Sequence, residues 1–266
     1  MKISVNAPSY KRPDEVLTLD YLPFCRIWVD CKEYDEYVRN NPGADIVSCP
    51  EGVQGNLCRV RNYILDEEFK RGMDVVLIIA DDLKCIRRFE YDRETDFAYE
   101  TRVVRADEFM LFLEKYSLIA QELGAKFWGL NCNSSGDPMY YRHNTPFSTR
   151  SYIGGPFQCF LKGNRCRYDE SLPLKEDYDM TLQQLNLERV VLRVNAYHYI
   201  CRQSENRGGY ATYRNRQREK EQLEALQQKW GTKIVKIDSN NSNKGHTEKQ
   251  KRLDYNPIIK VPIKGV

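Results

Sequence analysis

The chain has 266 residues, 41% apolar and 30% charged, with 41 Lys and Arg against 38 Asp and Glu for a net charge of +3. That length suits one large α/β domain better than two small ones, and no stretch of about 18 apolar residues is present to span a membrane. Met1-Lys2 runs straight into Ile3-Ser4-Val5 without an apolar leader or a small-residue cleavage site, so the expected location is the cytoplasm.

The N-terminal half alternates strand and helix signals. Ile3 to Ala7 is a short strand, Pro8 to Pro13 a loop, and Asp14-Glu15-Val16-Leu17, following Pro13, has the residues of a helix first turn. Arg26 to Val29 is a strand ending at Asp30, Tyr34 to Asn40 a helix, Asp45 to Ser48 a strand, and Gly55 opens a helix toward Arg71. The run Val75-Val76-Leu77-Ile78-Ile79-Ala80 is unbroken and rich in β-branched residues, as in a strand covered on both faces, and it ends on Asp81-Asp82. Asp107 to Leu123 reads as an amphipathic helix, Phe127 to Leu130 as a strand, and Asn133 to Ser151 as a long polar surface loop. Gly154-Gly155 precedes a strand from Phe157 to Leu161, Arg189 to Tyr199 is a late strand, and Asp238 to Asn243 has the composition of a linker. Strands alternating with helices imply βαβ units in a mainly parallel sheet.

Charge is unevenly placed along this plan. Between Arg202 and Lys220 six Lys and Arg face two Glu, and between Ser239 and Val266 six face one Glu and one Asp. Each segment carries +4, so the rest of the chain is net acidic. A basic C-terminal quarter suits an anionic partner, although a helix over Tyr213 to Trp230 with a solvated, mixed-charge face accounts for part of it. The nine cysteines are an odd number with no Cys-x-x-Cys pair, so they read as reduced, mostly buried thiols and not as a disulfide or zinc framework.

Ligands of parallel sheets bind at the carboxyl ends of the strands, where Asp81-Asp82 would sit, and hard oxygen donors at that edge suit a divalent cation. Asp81 as a cap of the following turn is equally compatible with the sequence.

Four segments in order carry a more specific pattern: Ala7-Pro8-Ser9-Tyr10-Lys11-Arg12-Pro13-Asp14, Val29-Asp30, Gly55-Asn56-Leu57-Cys58-Arg59-Val60-Arg61-Asn62, and Ala80-Asp81-Asp82. Together they resemble nucleotide-sugar glycosyltransferases of the GT-A fold, especially the family 2-like group, over residues 3 to 200. The resemblance implies a Rossmann-like, mainly parallel sheet flanked by helices. Its nucleotide-sugar half would cover residues 1–90, its acceptor half residues 91–201, and a helical, basic extension residues 202–266. It further implies that Pro8, Ser9, Tyr10 and Arg12 border the base and ribose and that Asp30 hydrogen-bonds the base, favouring a UDP-sugar. Gln54, Gly55, Asn56, Arg61 and Ala80 would line the nucleotide. Asp81, with Asp82 and the late His198, would hold the Mg²⁺ or Mn²⁺ that neutralises the departing phosphates. Taken singly, Arg61 is as readily a helix-surface ion pair, Gly55 an N-cap and His198 a structural histidine, while His246 is a weaker metal candidate. The pattern also departs from the family, because Ile79 stands where its first Asp-x-Asp acid would be, which leaves the metal stoichiometry open.

A fifth segment, Asp169-Glu170 through Lys175-Glu176-Asp177-Tyr178-Asp179, is similar to the family's acceptor-side stretch. That similarity implies Asp177, with Glu176 beside it, as the general base of an inverting reaction. The plainer reading makes these acids favourable first-turn charges on a helix. On the acceptor side, Gly154 and Gly155 precede a strand, and Arg207, Arg214, Arg216 and Arg218 are interleaved with Tyr210 and Tyr213. Arginines contact phosphates and tyrosines stack on bases, so this segment suits a nucleic acid. The whole plan resembles the phage enzymes associated with TET/base-J dioxygenases, which implies sugar transfer to hydroxymethylated pyrimidines in DNA in the host cytoplasm. Two other readings stand beside it: transfer to a glycan, lipid-carrier or protein hydroxyl, and a catalytically silent GT-A-like domain that binds nucleic acid. The sequence does not fix the oligomeric state.

Overall fold

The computed structural model describes residues 1–92, 94–95, 97–132, 141, 143–202, 214–237 and 255–261. In chain order the main strands are β1 (Ile3–Pro8), β2 (Arg26–Asp30), β3 (Ile46–Cys49), β4 (Val75–Ile79), β5 (Leu83–Asp92), β6 (Phe97–Val103), β7 (Phe127–Asn131), β8 (Phe147–Ser148), β9 (Phe157–Leu161) and β10 (Leu192–Cys201). The helices are α1 (Thr18–Tyr21), α2 (Tyr34–Asn40), α3 (Leu57–Lys70), α4 (Phe109–Glu122), α5 (Glu176–Leu187) and α6 (Arg216–Trp230). A small hairpin of β11 (Val235–Ile237) and β12 (Pro257–Ile259) follows.

The sheet runs β3-β2-β1-β4-β9-β7-β10-β5-β6, with β8 added to β10. β3, β2, β1 and β4 are parallel neighbours, as are β7 and β10, and along this path β9 and β5 run against the rest. The mostly parallel α/β architecture expected from the sequence is therefore present. Alternation along β4 explains its apolar run: Val75, Leu77 and Ile79 enter the core that α4 covers, while Val76 and Ile78 enter the core beneath α3 and α5. A strand buried on both faces has no polar side to present, so the sequence reads as continuous hydrophobicity. A third, smaller cluster joins Leu223 and Leu226 of α6 and Val235 to Leu172, Tyr178 and Leu182, so the C-terminal helix packs against α5.

Three departures from the sequence reading have physical causes. Asp14 to Leu17 form turns, and helix begins only at Thr18. The Thr18 hydroxyl donates to the Ala80 carbonyl (2.7 Å) and accepts from the Leu83 amide (3.0 Å), while Arg12 is drawn onto Asp81, so the segment is tied to the end of β4. The β5–β6 hairpin went unread because charged residues at Lys84, Arg87, Arg88 and Glu90 interrupt its apolar signal. The last long strand spans Leu192–Cys201, with irregular pairing that carries it beyond Tyr199. All nine cysteines are free thiols. Among the described residues no helix is long and apolar enough to cross a membrane. Part of the expected surface loop, residues 133–140 and 142, and the expected linker lie outside the described residues.

Gly129 lies where β7 meets β9, and a Cβ there would stand 2.4 Å from Ile153 Cγ2 and 2.8 Å from the Phe157 carbonyl oxygen. Because the second atom is backbone, the strands must part to accept it. Gly129→Ala is expected to destabilise the protein by about 1–3 kcal/mol, read as a lower urea midpoint with an unchanged slope.

Candidate active site at the sheet edge

Parallel pairing of β1 with β4 places the loops that follow them side by side at one edge of the sheet. There Asp81, 1% exposed, receives Arg12 on both carboxylate oxygens, with Arg12 Nε donating to Oδ2 at 2.7 Å and Nη2 to Oδ1. The Ser9 hydroxyl also donates to Oδ2 and is itself bonded to the Tyr37 hydroxyl (2.8 Å). The Tyr37 oxygen accepts the Arg12 amide (3.2 Å), so α2 fixes both ends of the loop. Pro8 pairs with Trp28 in the sheet, and the Lys11 ammonium lies 4.9 Å from the Tyr10 ring centre.

The neighbouring loops are equally committed. Gln54 is buried and donates to the Trp28 (3.0 Å) and Ser9 (3.5 Å) carbonyls, tying the ends of β1 and β2 together. Asp30 accepts the Lys32 amide (2.9 Å) at the end of β2. Asn56 is the N-cap of α3: its side-chain oxygen accepts from Cys58 (2.9 Å) and Arg59 (3.3 Å), and its amide reaches the Glu170 carbonyl (2.9 Å). Gly55 precedes that cap with φ +89°, a left-handed conformation that favours glycine.

The second half of the site is the start of α5. Arg61, 4% exposed, donates from α3 to Glu176 (3.1 Å), the Gln158 side-chain oxygen (3.3 Å) and the Gly155 carbonyl (3.0 Å). It braces the acid pair from within the fold. Burial, joined by the adjacent Asp177 charge, pushes the Glu176 carboxyl up to about 8 against the pull of Arg61. Asp177 accepts the Gly155 amide (3.1 Å) and the Tyr152 hydroxyl on Oδ2 and the Tyr178 amide (2.8 Å) on Oδ1. Tyr152 stacks on Tyr178 at 4.2 Å between ring centres, which fixes the direction of its hydroxyl.

One loop joins the two halves. The Pro156 carbonyl accepts the Ala80 amide (3.1 Å), immediately before Asp81, and the preceding residue, Gly155, holds Asp177. β10 runs past both, with Tyr199 in the field of Asp177 and Cys201 in that of Asp82 and Asp81. A Cβ on Gly154 would meet the Tyr199 hydroxyl at 2.4 Å, so glycine permits the close approach of this loop to β10. The sequence reading missed Tyr152 and Tyr199. Tyr152 carries no local signal, because it reaches Asp177 across 25 residues of chain only through the fold.

The residues expected to hold a divalent cation do not fit that role. Both Asp81 oxygens are engaged by Arg12, and Asp82 is buried near the Cys201 thiol. His198 is fully buried, its ring tilted against Phe89 at 4.7 Å between centres, and held down to about 4 by loss of hydration. Among the described residues no group of three or more His, Cys, Asp or Glu side chains is placed to hold a metal ion. The expected acceptor arginines are partly committed as well. Arg214 pairs with Glu219, which also binds the buried Lys175, and Arg216 lies over the Tyr255 ring at 5.9 Å. Arg218 is exposed in the first turn of α6, while Arg207, Tyr210, Tyr213 and His246 lie outside the described residues.

The sequence pattern of the family described as TET-Associated Glycosyltransferase matches residues 3–209, and the chain belongs to that family and is a glycosyltransferase. No curated protein matches it. Among solved structures it is similar to a protein from Desulfovibrio desulfuricans assigned as a nucleotide-diphospho-sugar transferase, at 11% identity, 73% of this chain, 80% of that chain and a TM-score of 0.41. It is also similar to mannose-1-phosphate geranyltransferase from Thermus thermophilus, at 12% identity, 75% and 76% coverage and a TM-score of 0.42. Both likenesses are too distant to carry an argument about chemistry.

A carboxyl that holds its proton more tightly in the folded state stabilises the fold below its unfolded pKa, and that contribution is lost as pH rises through the folded value. Wild-type stability should therefore fall, relative to Glu176→Gln, as pH rises from about 4.5 to about 8 and then level off. Urea midpoints of both proteins across this range check it, and parallel profiles would refute the assignment.

Proposed function

We propose that the enzyme transfers a sugar from a nucleotide-sugar donor to the hydroxymethyl group of a modified pyrimidine in DNA, inverting the anomeric carbon. The observation that carries this reading is Asp177: a carboxylate fixed by the Gly155 amide and the Tyr152 hydroxyl, beside the loop whose next residue bonds to the end of β4. In the reaction Asp177 takes the proton of the acceptor hydroxyl as its oxygen bonds to the anomeric carbon. The bond from that carbon to the diphosphate breaks, and its electron pair leaves with the nucleoside diphosphate. Glu176, holding its proton more tightly than an ordinary carboxyl, supports Asp177 without adding a second full charge beside it.

The acceptor assignment is supported by the family's TET association, since dioxygenases of that kind supply hydroxymethyl groups on bases. It is supported also by the +4 segment from Arg202 to Lys220, which begins where β10 leaves the site. A base inside a duplex cannot bring its substituent to a carboxylate in a cleft, so the nucleotide would leave the stack.

Mass spectrometry of hydroxymethylated DNA incubated with a panel of nucleotide sugars tests this directly; transfer only to glycans or protein hydroxyls would overturn the acceptor. Asp177→Asn should lower kcat by about a thousandfold while leaving donor affinity, read by calorimetry, nearly intact. Replacing Arg216 and Arg218 by Gln should weaken DNA binding and flatten its dependence on salt. Arg214 is unsuited to that test, because its loss would disturb the Lys175 and Glu219 pairing beneath α5.

A further inference from the structure

We propose that the Arg12 guanidinium, held in place by Asp81, donates hydrogen bonds to the donor's diphosphate where the family resemblance implies a divalent cation. The inference rests on the nucleotide-sugar reading above. Asp81 is enclosed on three sides: Arg12 grips both oxygens in a two-pronged pair, Ser9 adds a third donor, and Tyr37 holds Ser9 and the Arg12 backbone. A cation would have to take an oxygen already spent on these donors and sit against a guanidinium of the same sign. The other expected ligands are also committed: Asp82 is buried beside the Cys201 thiol and in the field of Arg12, the first acid of the family's pair is the fully buried Ile79, and His198 packs against Phe89.

The same geometry prepares Arg12 for a phosphate. Its Nε and Nη2 are fixed by Asp81, so the plane of the guanidinium is set, and among the described residues Nη1 has no bonded partner. A planar guanidinium with remaining N–H groups matches phosphate oxygens in pairs, and one already oriented loses little freedom on binding. Lys11 provides an independent sign that the position of Arg12 is built. It adopts φ +59°, a left-handed conformation that a non-glycine side chain opposes, and this turn brings the next residue back over Asp81. In the transfer step the guanidinium would face the charge that gathers on the leaving diphosphate.

The test uses the full chain. Calorimetry with UDP, GDP, CDP and ADP is run in Mn²⁺ and in chelator, and Mn²⁺ alone is followed by the loss of its free-ion paramagnetic resonance signal. Expected are a nucleoside diphosphate that binds equally in both conditions and no saturable Mn²⁺ site. Arg12→Ala should lose about tenfold or more in diphosphate affinity. That variant leaves Asp81 buried without its counter-charge and is a poor test if it misfolds. Arg12→Lys keeps the charge but gives up the fork, so it should fold and bind with intermediate affinity. Diphosphate binding that requires Mn²⁺, or a saturable Mn²⁺ site abolished in Asp81→Asn, would overturn the proposal while leaving the donor reading intact. Failure of every nucleoside diphosphate to bind in either condition would overturn both. Equal affinities of wild type and both Arg12 variants would overturn this one alone.

Discussion

A single buried guanidinium, that of Arg61, ties the start of α5 to the loop that reaches β4. It reaches from α3 to the Gly155 carbonyl, the side chain of Gln158 on β9 and Glu176 at the start of α5, adding polar bonds to elements that already share one apolar core. Burying such a charge is costly unless its hydrogen bonds are satisfied, and the three acceptors serve that need. Their arrangement in turn places the Gly155 amide on Asp177. The position of the acid at the centre of the proposed chemistry therefore depends on a residue that never faces solvent, and on the antiparallel insertion of β9 beside β4 that carries Gln158 there.

Much of this was legible in the sequence. The strand from Val75 declared itself because both of its faces are covered. Most of the expected site residues of the first 90 positions gather in one place, at the ends of β1, β2 and β4, as ordered short motifs on neighbouring parallel strands must. Their bonding was not legible. The sequence shows an arginine four residues after the first strand and an acid at the end of the fourth, but the choice between Arg12 and a cation as the partner of Asp81 is made by the turn at Lys11 and the socket of Ser9 and Tyr37. Likewise the phenol of Tyr152 acquires its meaning only by stacking on Tyr178, and the polarity of β9 only from its pairing with β4 and β7.

The two carboxylates at the start of α5 illustrate how identical chemistry is made unequal. Glu176 points inward, where loss of water and the nearby Asp177 raise its affinity for a proton above what Arg61 can offset. Asp177, less buried, meets an amide and a phenol on one oxygen and a second amide on the other, the company of a group that accepts hydrogen bonds. One helix turn thus sets a carboxyl that holds its proton beside one surrounded by hydrogen-bond donors, the asymmetry on which the proposed base catalysis rests.

The docking of α6 has a consequence for where this protein ends as a folding unit. The family match stops at residue 209, yet Lys175, immediately before the acid pair, is buried against Glu219, and Asp179 of α5 is bound by Lys229 (2.9 Å) and by the Trp230 indole (2.8 Å). Asp169 joins the same lysine, whose hydrogen bond, with those of Ser171, overrides burial and draws its carboxyl down to about 2. A chain cut at the family boundary would uncover the Lys175 ammonium and the Asp179 carboxylate and remove these partners, and both lie on the turn that carries Asp177. With those two charges sealed beneath it, α6 belongs to the cooperative core, and its loss would be felt first in the turn that carries Asp177.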